Sequence, residues 1–176
     1  MAKQFRYPIK RSPASDPQQY RVYRMENEAI GARQYMRVSK DKIRQLVRSV
    51  CGNYGVPAPK LVWCDLGKWA AEWDNGMIRL NTKKGMASDV LTVTHELAHH
   101  IHYHLAGRQD LHAAHGPEFM AVHMSILDTC RIIPIEGMRA ICARWKVLYC
   151  DPGTTCSLAK LRRICRLIRP QSPSQI

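Results

Sequence analysis

Apolar positions change period several times along this chain, and the changes mark out its elements. Over "VSKDKIRQLVRSVCGNYG" (38–55), Ile43, Leu46, Val47, Val50 and Cys51 fall at i, i+3, i+4, i+7 and i+8, the buried stripe of an amphipathic helix. Ser39 is placed to cap its start, and Gly52 or Gly55 to end it. "KLVWCDL" (60–66) and "WAAEWDNGMIRLN" (69–81) read as strands, with Asn75-Gly76 supplying the positive-φ pair of a tight hairpin. "ASDVLTVTHELAHHIHYHLAG" (87–107) then predicts a helix of about five turns that opens at Ser88 or Asp89 and stops near Gly107. The loop "RQDLHAAHG" leads into "PEFMAVHMSILDTC", where Pro117 takes the first-turn position that proline tolerates. Two more helices are expected, roughly 136–149 and 157–169, before a disordered "PQSPSQI" tail.

Residues 1–34 lack sustained periodicity and hold three of the ten prolines, so they read as an arm with one short strand around "YRVYRM" (20–25). The order helix, strands, helix, helices gives an α+β class: a small antiparallel or mixed sheet packed on the histidine-rich helix, with further helices around it. At 176 residues the chain is long enough for one domain with short extensions. The expected division is an arm at 1–34, a central domain at 35–130 and a helical extension at 131–176.

Charge adds a feature that the periodicity does not show. The net charge is +13, but residues 1–48 carry twelve Lys/Arg against four Asp/Glu and residues 131–176 nine against two. Residues 49–130 carry six against eight, so a slightly acidic centre lies between two basic ends. Such a field attracts polyanions, nucleic acid first (DNA or another polyanion), through counterion release; the alternative is a solvated basic surface without a dedicated partner. The last helix carries Lys160, Arg162, Arg163, Arg166 and Arg169 around an apolar side of Leu158, Leu161, Ile164 or Cys165, and Ile168. Tyr7, Tyr20, Tyr23 and Tyr35 stand among arginines at the other end, where they could stack on bases, although their spacing matches no known module. Seven dispersed cysteines, no hydrophobic leader and no spanning segment lead us to expect an intracellular, cytoplasmic protein without a membrane partner.

The chemistry concentrates at His95-Glu96-Leu97-Ala98-His99, an H-E-x-x-H motif on a predicted helix. Residues four apart share a helix face, so both imidazoles can reach one Zn²⁺ at about 2.0–2.1 Å. Glu96 is turned about 100° from His95, beside the ion, where a base can take a proton from zinc-bound water. Chance would produce such a motif in a chain of this composition about once in a hundred. On a helical wheel with His95 at the origin, His99 lies about 40° away and His102 about 20° away in the opposite sense. His100, at about 140°, and His104, at about 180°, face the other side, as exposed or supporting residues. His102 lines the site or packs below it.

A catalytic zinc wants a third protein ligand and an open position. The metzincin continuation is absent, because its glycine position holds His102 and its last ligand position Leu105. His115 and Glu118 of "HGPEF" are the candidates, with Asp110, His112 and His123 as outsiders.

H-E-L-A-H followed by a loop and H-G-x-x-F resembles the SprT-like zinc metalloprotease domain, the group that includes Spartan-type proteases of DNA-protein crosslinks. The upstream "GMIRLN" (76–81) is similar to that family's strand before the helix, and the likeness covers about residues 37–130. It implies a zincin fold and a third ligand at His115, which matches the histidine of the H-G-x-x-F element, with Glu118 left as a helix-start carboxylate. Many relatives also carry a zinc ribbon of two C-x-x-C pairs. Here Cys142, Cys150, Cys156 and Cys165 form no such pair, and buried thiols are expected instead of a second metal.

The resulting expectation is a zinc metallopeptidase with His95, His99 and His115 on Zn²⁺ and Glu96 activating water. Its substrates would be proteins, including those bound to nucleic acid, taken up as a strand along an edge near "MIRLN". No tyrosine or arginine that assists the oxyanion can be named from sequence. The rivals are a non-proteolytic nucleic-acid-binding protein with a structural or vestigial metal site, and a metal-dependent nuclease. Glu96 argues against the first, because a structural site has no use for it; the long gap from His99 to His115 argues against the second.

Overall fold

A computed structural model describes residues 16–31, 38–82, 89–106 and 113–150. The described residues form an α+β arrangement of five helices and a three-stranded mixed sheet: α1 (Gln19–Gly31), α2 (Lys40–Tyr54), β1 (Lys60–Cys64), β2 (Ala71–Asp74), β3 (Met77–Asn81), α3 (Val90–Ala106), α4 (Pro117–Thr129) and α5 (Ile135–Trp145). The helix expected over 157–169 and the tail lie outside the described residues.

Local chemistry sets most boundaries where the periodicity placed them. Ser39 accepts a hydrogen bond from the Lys42 N–H at the start of α2, and Gly55 ends that helix at φ 65°. Ile43, Val47, Val50 and Cys51 are buried and Leu46 packs beside them. Asp89 accepts from the Leu91 N–H and opens α3. Pro117 begins α4, and a Cβ on Gly116 before it would crowd the Ala113 carbonyl oxygen at 3.0 Å. No helix among the described residues is long and apolar enough to cross a membrane.

The sheet order is β1-β3-β2, with β1 parallel and β2 antiparallel to β3. Asn75 at φ 43° and Gly76 at φ 82° make the expected β2–β3 hairpin turn, both residues in the left-handed region such a turn requires. "MIRLN" is therefore the central strand and not an edge: β1 returns to pair on its second side, and the strands with an open side are β1 and β2. Asn81 is buried at the end of β3, where its side-chain amide donates to the Trp69 and Gly67 carbonyls and ties down the turn before β2.

The N-terminal segment departs from expectation. "YRVYRM" is the first half of α1, not a strand. Its alternation suits period two over six residues, but Val22, Met25, Glu26 and Ala29 are the buried positions, at i, i+3, i+4 and i+7. A glutamate inside the apolar stripe hid the helical period. α1 packs against α5, where the Trp145 indole N–H and the Arg144 guanidinium both donate to Glu28 and Arg24 lies 4.8 Å from the Trp145 ring. The core runs from this pair through α3 and α4 to the inner face of the sheet, with Leu97, Ile101, Phe119, Ile126, Ile78 and Leu80 fully buried. Cys51, Cys142 and Cys150 are buried, and among the described residues no cysteine joins a metal-competent group; Cys156 and Cys165 lie outside them.

Candidate metal centre

His95 and His99 project from one face of α3, and His115 reaches them from the turn that precedes α4. The Nε2 atom of His95 lies 3.1 Å from Nε2 of His99 and 3.2 Å from Nε2 of His115. Three imidazoles thus converge by the same ring atom, and they form a group able to hold a metal ion. Glu118 is half-buried in the first turn of α4 and belongs to no such group. Phe119 lies under all three rings, with centroids 5.2, 4.4 and 5.1 Å from those of His95, His99 and His115, and gives the cluster an apolar floor.

The far nitrogens explain why Nε2 points inward. His95 Nδ1 is 2.5 Å from Glu26 Oε1 on α1, and His115 Nδ1 is 2.6 Å from Asp16 Oδ2 just before α1. Burial pushes the Glu26 carboxyl up to about 7, against the pull of His123 and His115, so above that pH it stands as a carboxylate. A carboxylate accepts, so each Nδ1 then carries the proton and the Nε2 atoms of His95 and His115 present lone pairs. Asp16 also accepts from the His115 main-chain N–H at 3.3 Å. The Gln18 side-chain amide donates to the His115 carbonyl oxygen at 2.6 Å, which fixes the turn from the other side.

This arrangement tests the fit of a cation. Two lone pairs facing each other at 3.2 Å, on His95 and His115, repel unless a positive charge lies between them. A tetrahedral ion with zinc-like bonds sets its nitrogen ligands about 3.3–3.4 Å apart, close to the spacing found here. Burial holds His95 down to about 3 and keeps His99 and His115 below the usual histidine range, His115 against the upward pull of Asp16. All three imidazoles are therefore neutral near pH 7, and a cation displaces no proton from them. The residues fit the group.

Glu96 follows His95 and is half-buried toward β2. Burial, then the charge of Glu26, push its carboxyl up to about 8, opposed by a hydrogen bond from the Trp73 main chain; a dication nearby acts in the same sense as that bond. The bond uses a main-chain group on the side of β2 that faces away from β3, so the strand's own edge holds the glutamate.

The remaining histidines of the helix divide differently from the wheel's suggestion. His104 is exposed, as expected. His100 is on the away-facing side but fully buried: its Nδ1 accepts from the Trp73 indole N–H at 3.2 Å, and its Nε2 donates to the Pro57 carbonyl at 2.7 Å. It pins β2 and the segment before β1 onto α3. His102 is buried, and Asp110 and His112 lie outside the described residues.

Sequence reasoning missed four residues of this neighbourhood. Asp16 and Glu26 hold the imidazoles, and Tyr23 packs against two of them, 5.1 Å from the His115 ring and 5.7 Å from the His95 ring. Burial, followed by the charges of Glu26 and Glu96, pushes the Tyr23 phenol upward, so it stays protonated. His123, set aside as an outsider, is fully buried with its ring 5.7 Å from that of His95 and Nδ1 3.4 Å from Glu26 Oε1. Glu26, His95 and His123 make a second group of metal-competent geometry, but the short Glu26–His95 hydrogen bond fills the space an ion would need there. The one available signal was Glu26 itself, a charged residue in phase with the apolar stripe of α1.

Comparisons with protein-family models, with curated proteins and with solved structures return no match.

Proposed function

We propose that this chain is a zinc-dependent metallopeptidase of the SprT-like, zincin type, with His95, His99 and His115 as ligands and Glu96 as general base. The observation that carries the reading is a three-imidazole cluster whose Nε2 atoms converge, with a carboxyl one residue from the first ligand and held beside it. Three protein ligands leave a tetrahedral ion an open position, which a purely structural site does not keep. Zinc bound there supplies Lewis acidity, polarising a peptide carbonyl and making water more acidic.

The chain's own residues do the rest. Glu96 accepts a proton from water as the water oxygen bonds to the carbonyl carbon, and passes it to the departing amide nitrogen. Glu26 and Asp16 keep the ligand rings in one tautomer and one orientation. β2 packs on α3 and has no strand on its second side, so an extended substrate adding to the main-chain groups of that edge not used by Glu96 would meet the site with little dependence on side chains. Loosely folded proteins suit this mode, and the two basic ends of the chain direct it to proteins bound to nucleic acid.

The test compares wild type with Glu96→Gln on a denatured protein substrate, with and without DNA. Purified protein is expected to hold one zinc, and Glu96→Gln to keep the zinc while losing cleavage. Unchanged cleavage by Glu96→Gln removes the mechanism. Zinc retained by His115→Ala removes the ligand assignment and points to Glu118.

A further inference from the structure

The segment made of α1 and the residues just ahead of it touches the candidate metal centre at two points, and a third side chain lies between them in sequence. Asp16, just ahead of the helix, grips His115 Nδ1, and Glu26 grips His95 Nδ1. Tyr23 stands one turn before Glu26 on the same helix face. The stretch carrying it is thus fixed against the two imidazoles, and its ring meets both, edge-on to His115 and tilted to His95. Gln19, one turn further back, has its side-chain amide 3.5 Å from the phenolic oxygen, a long contact in which the phenol is the acceptor. Glu96 belongs to the β2 side of the cluster, where the Trp73 main chain holds it. A carboxyl held at β2 and a phenol from α1 thus both border the imidazole cluster.

We propose that Tyr23 is a catalytic residue, whose O–H donates a hydrogen bond to the scissile carbonyl oxygen as negative charge develops there. The proposal rests on the metallopeptidase reading above. In the addition step the water oxygen bonds to the carbonyl carbon, the carbonyl π pair moves onto its oxygen, and the water proton goes to Glu96. In the collapse that pair returns, the C–N bond breaks, and Glu96 delivers its proton to the amine. Tyr23 keeps its own proton throughout and contributes only the hydrogen bond, stronger to the oxyanion than to the ground-state carbonyl.

Tyr23→Phe tests this, because it removes the hydroxyl and leaves the ring packed on His95 and His115. The measurements are zinc content, kcat and KM on an unfolded protein substrate, and affinity for a phosphinic peptide, whose tetrahedral anionic group mimics the developing oxyanion. The expected result is a fall in kcat of about 10²–10³-fold, the size that one lost oxyanion donor produces, with KM changed by less than about twofold and zinc retained. Affinity for the phosphinic peptide should fall with kcat. Wild-type kcat in Tyr23→Phe overturns the proposal and leaves the metallopeptidase reading intact. Loss of zinc in the same variant also overturns it, since the hydroxyl would then be supporting the ligands. A wild-type protein that holds zinc and cleaves nothing overturns both.

Discussion

Helices α3 and α1 meet at the same three imidazoles and contribute in opposite ways. α3 gives two of the inward-facing nitrogens from positions four apart, so helical geometry alone brings them together. The α1 segment faces the cluster with carboxylates: Glu26 acts on a histidine 69 positions away and Asp16 on one 99 positions away. α3 carries two of the three donor atoms, and the α1 segment decides how His95 and His115 point. A candidate metal centre of this kind is therefore two layers with different sensitivities, and substitutions can separate them.

The largest effect is expected from the donor layer. His99→Ala leaves two imidazoles, and metal analysis after dialysis should find no bound zinc. Next come the carboxylates behind them. Asp16→Asn and Glu26→Gln keep the shape but lose the charge that favours an Nδ1–H, and each should weaken zinc binding by about 10–100-fold in a competition titration with a chelator. An unchanged affinity would mean that the first layer is self-sufficient and that α1 is only packing. Smaller again, and of a different kind, is His100→Ala on the far side of α3. It strands the Trp73 indole N–H and the Pro57 carbonyl, so denaturant unfolding should show a loss of about 1–3 kcal/mol while zinc stays bound. The smallest concerns the exposed Arg44–Asp41 pair on α2, where Asp41→Ala should cost less than about 1 kcal/mol and leave the metal untouched.

Parts of the molecule differ in how openly the chain announces them. The α2 stripe, its serine and glycine ends, and the Asn75-Gly76 hairpin are encoded within a few residues, and the structure has them where periodicity puts them. α1 is not announced, because the residue that completes its buried stripe is a glutamate whose burial makes sense only once His95 is beside it. His100 is a similar case. Its angle on the wheel is right, yet the wheel takes no account of the indole and the carbonyl that turn an outward position into an interior one. The sheet order belongs here too: a short apolar strand reads the same at the centre or the edge, and only the return of β1 to pair with β3 makes β2 the open strand beside α3.

By itself the sequence determined the relations that spacing along one helix or one turn imposes: that His95 and His99 share a face, that Glu96 stands next to them, and that a glycine-proline start carries His115 at the head of α4. The resemblance, not the spacing, chose His115 over Glu118. Tertiary structure alone decided the rest. It carried Asp16, Tyr23 and Glu26 from the N-terminal segment, and His123 from α4, to the same imidazoles. The physical reason is range. Helical and turn geometry act over a few residues and can be read from the letters in order. A carboxylate that fixes a tautomer acts through one short hydrogen bond, and only the folded chain sets which distant residue makes it.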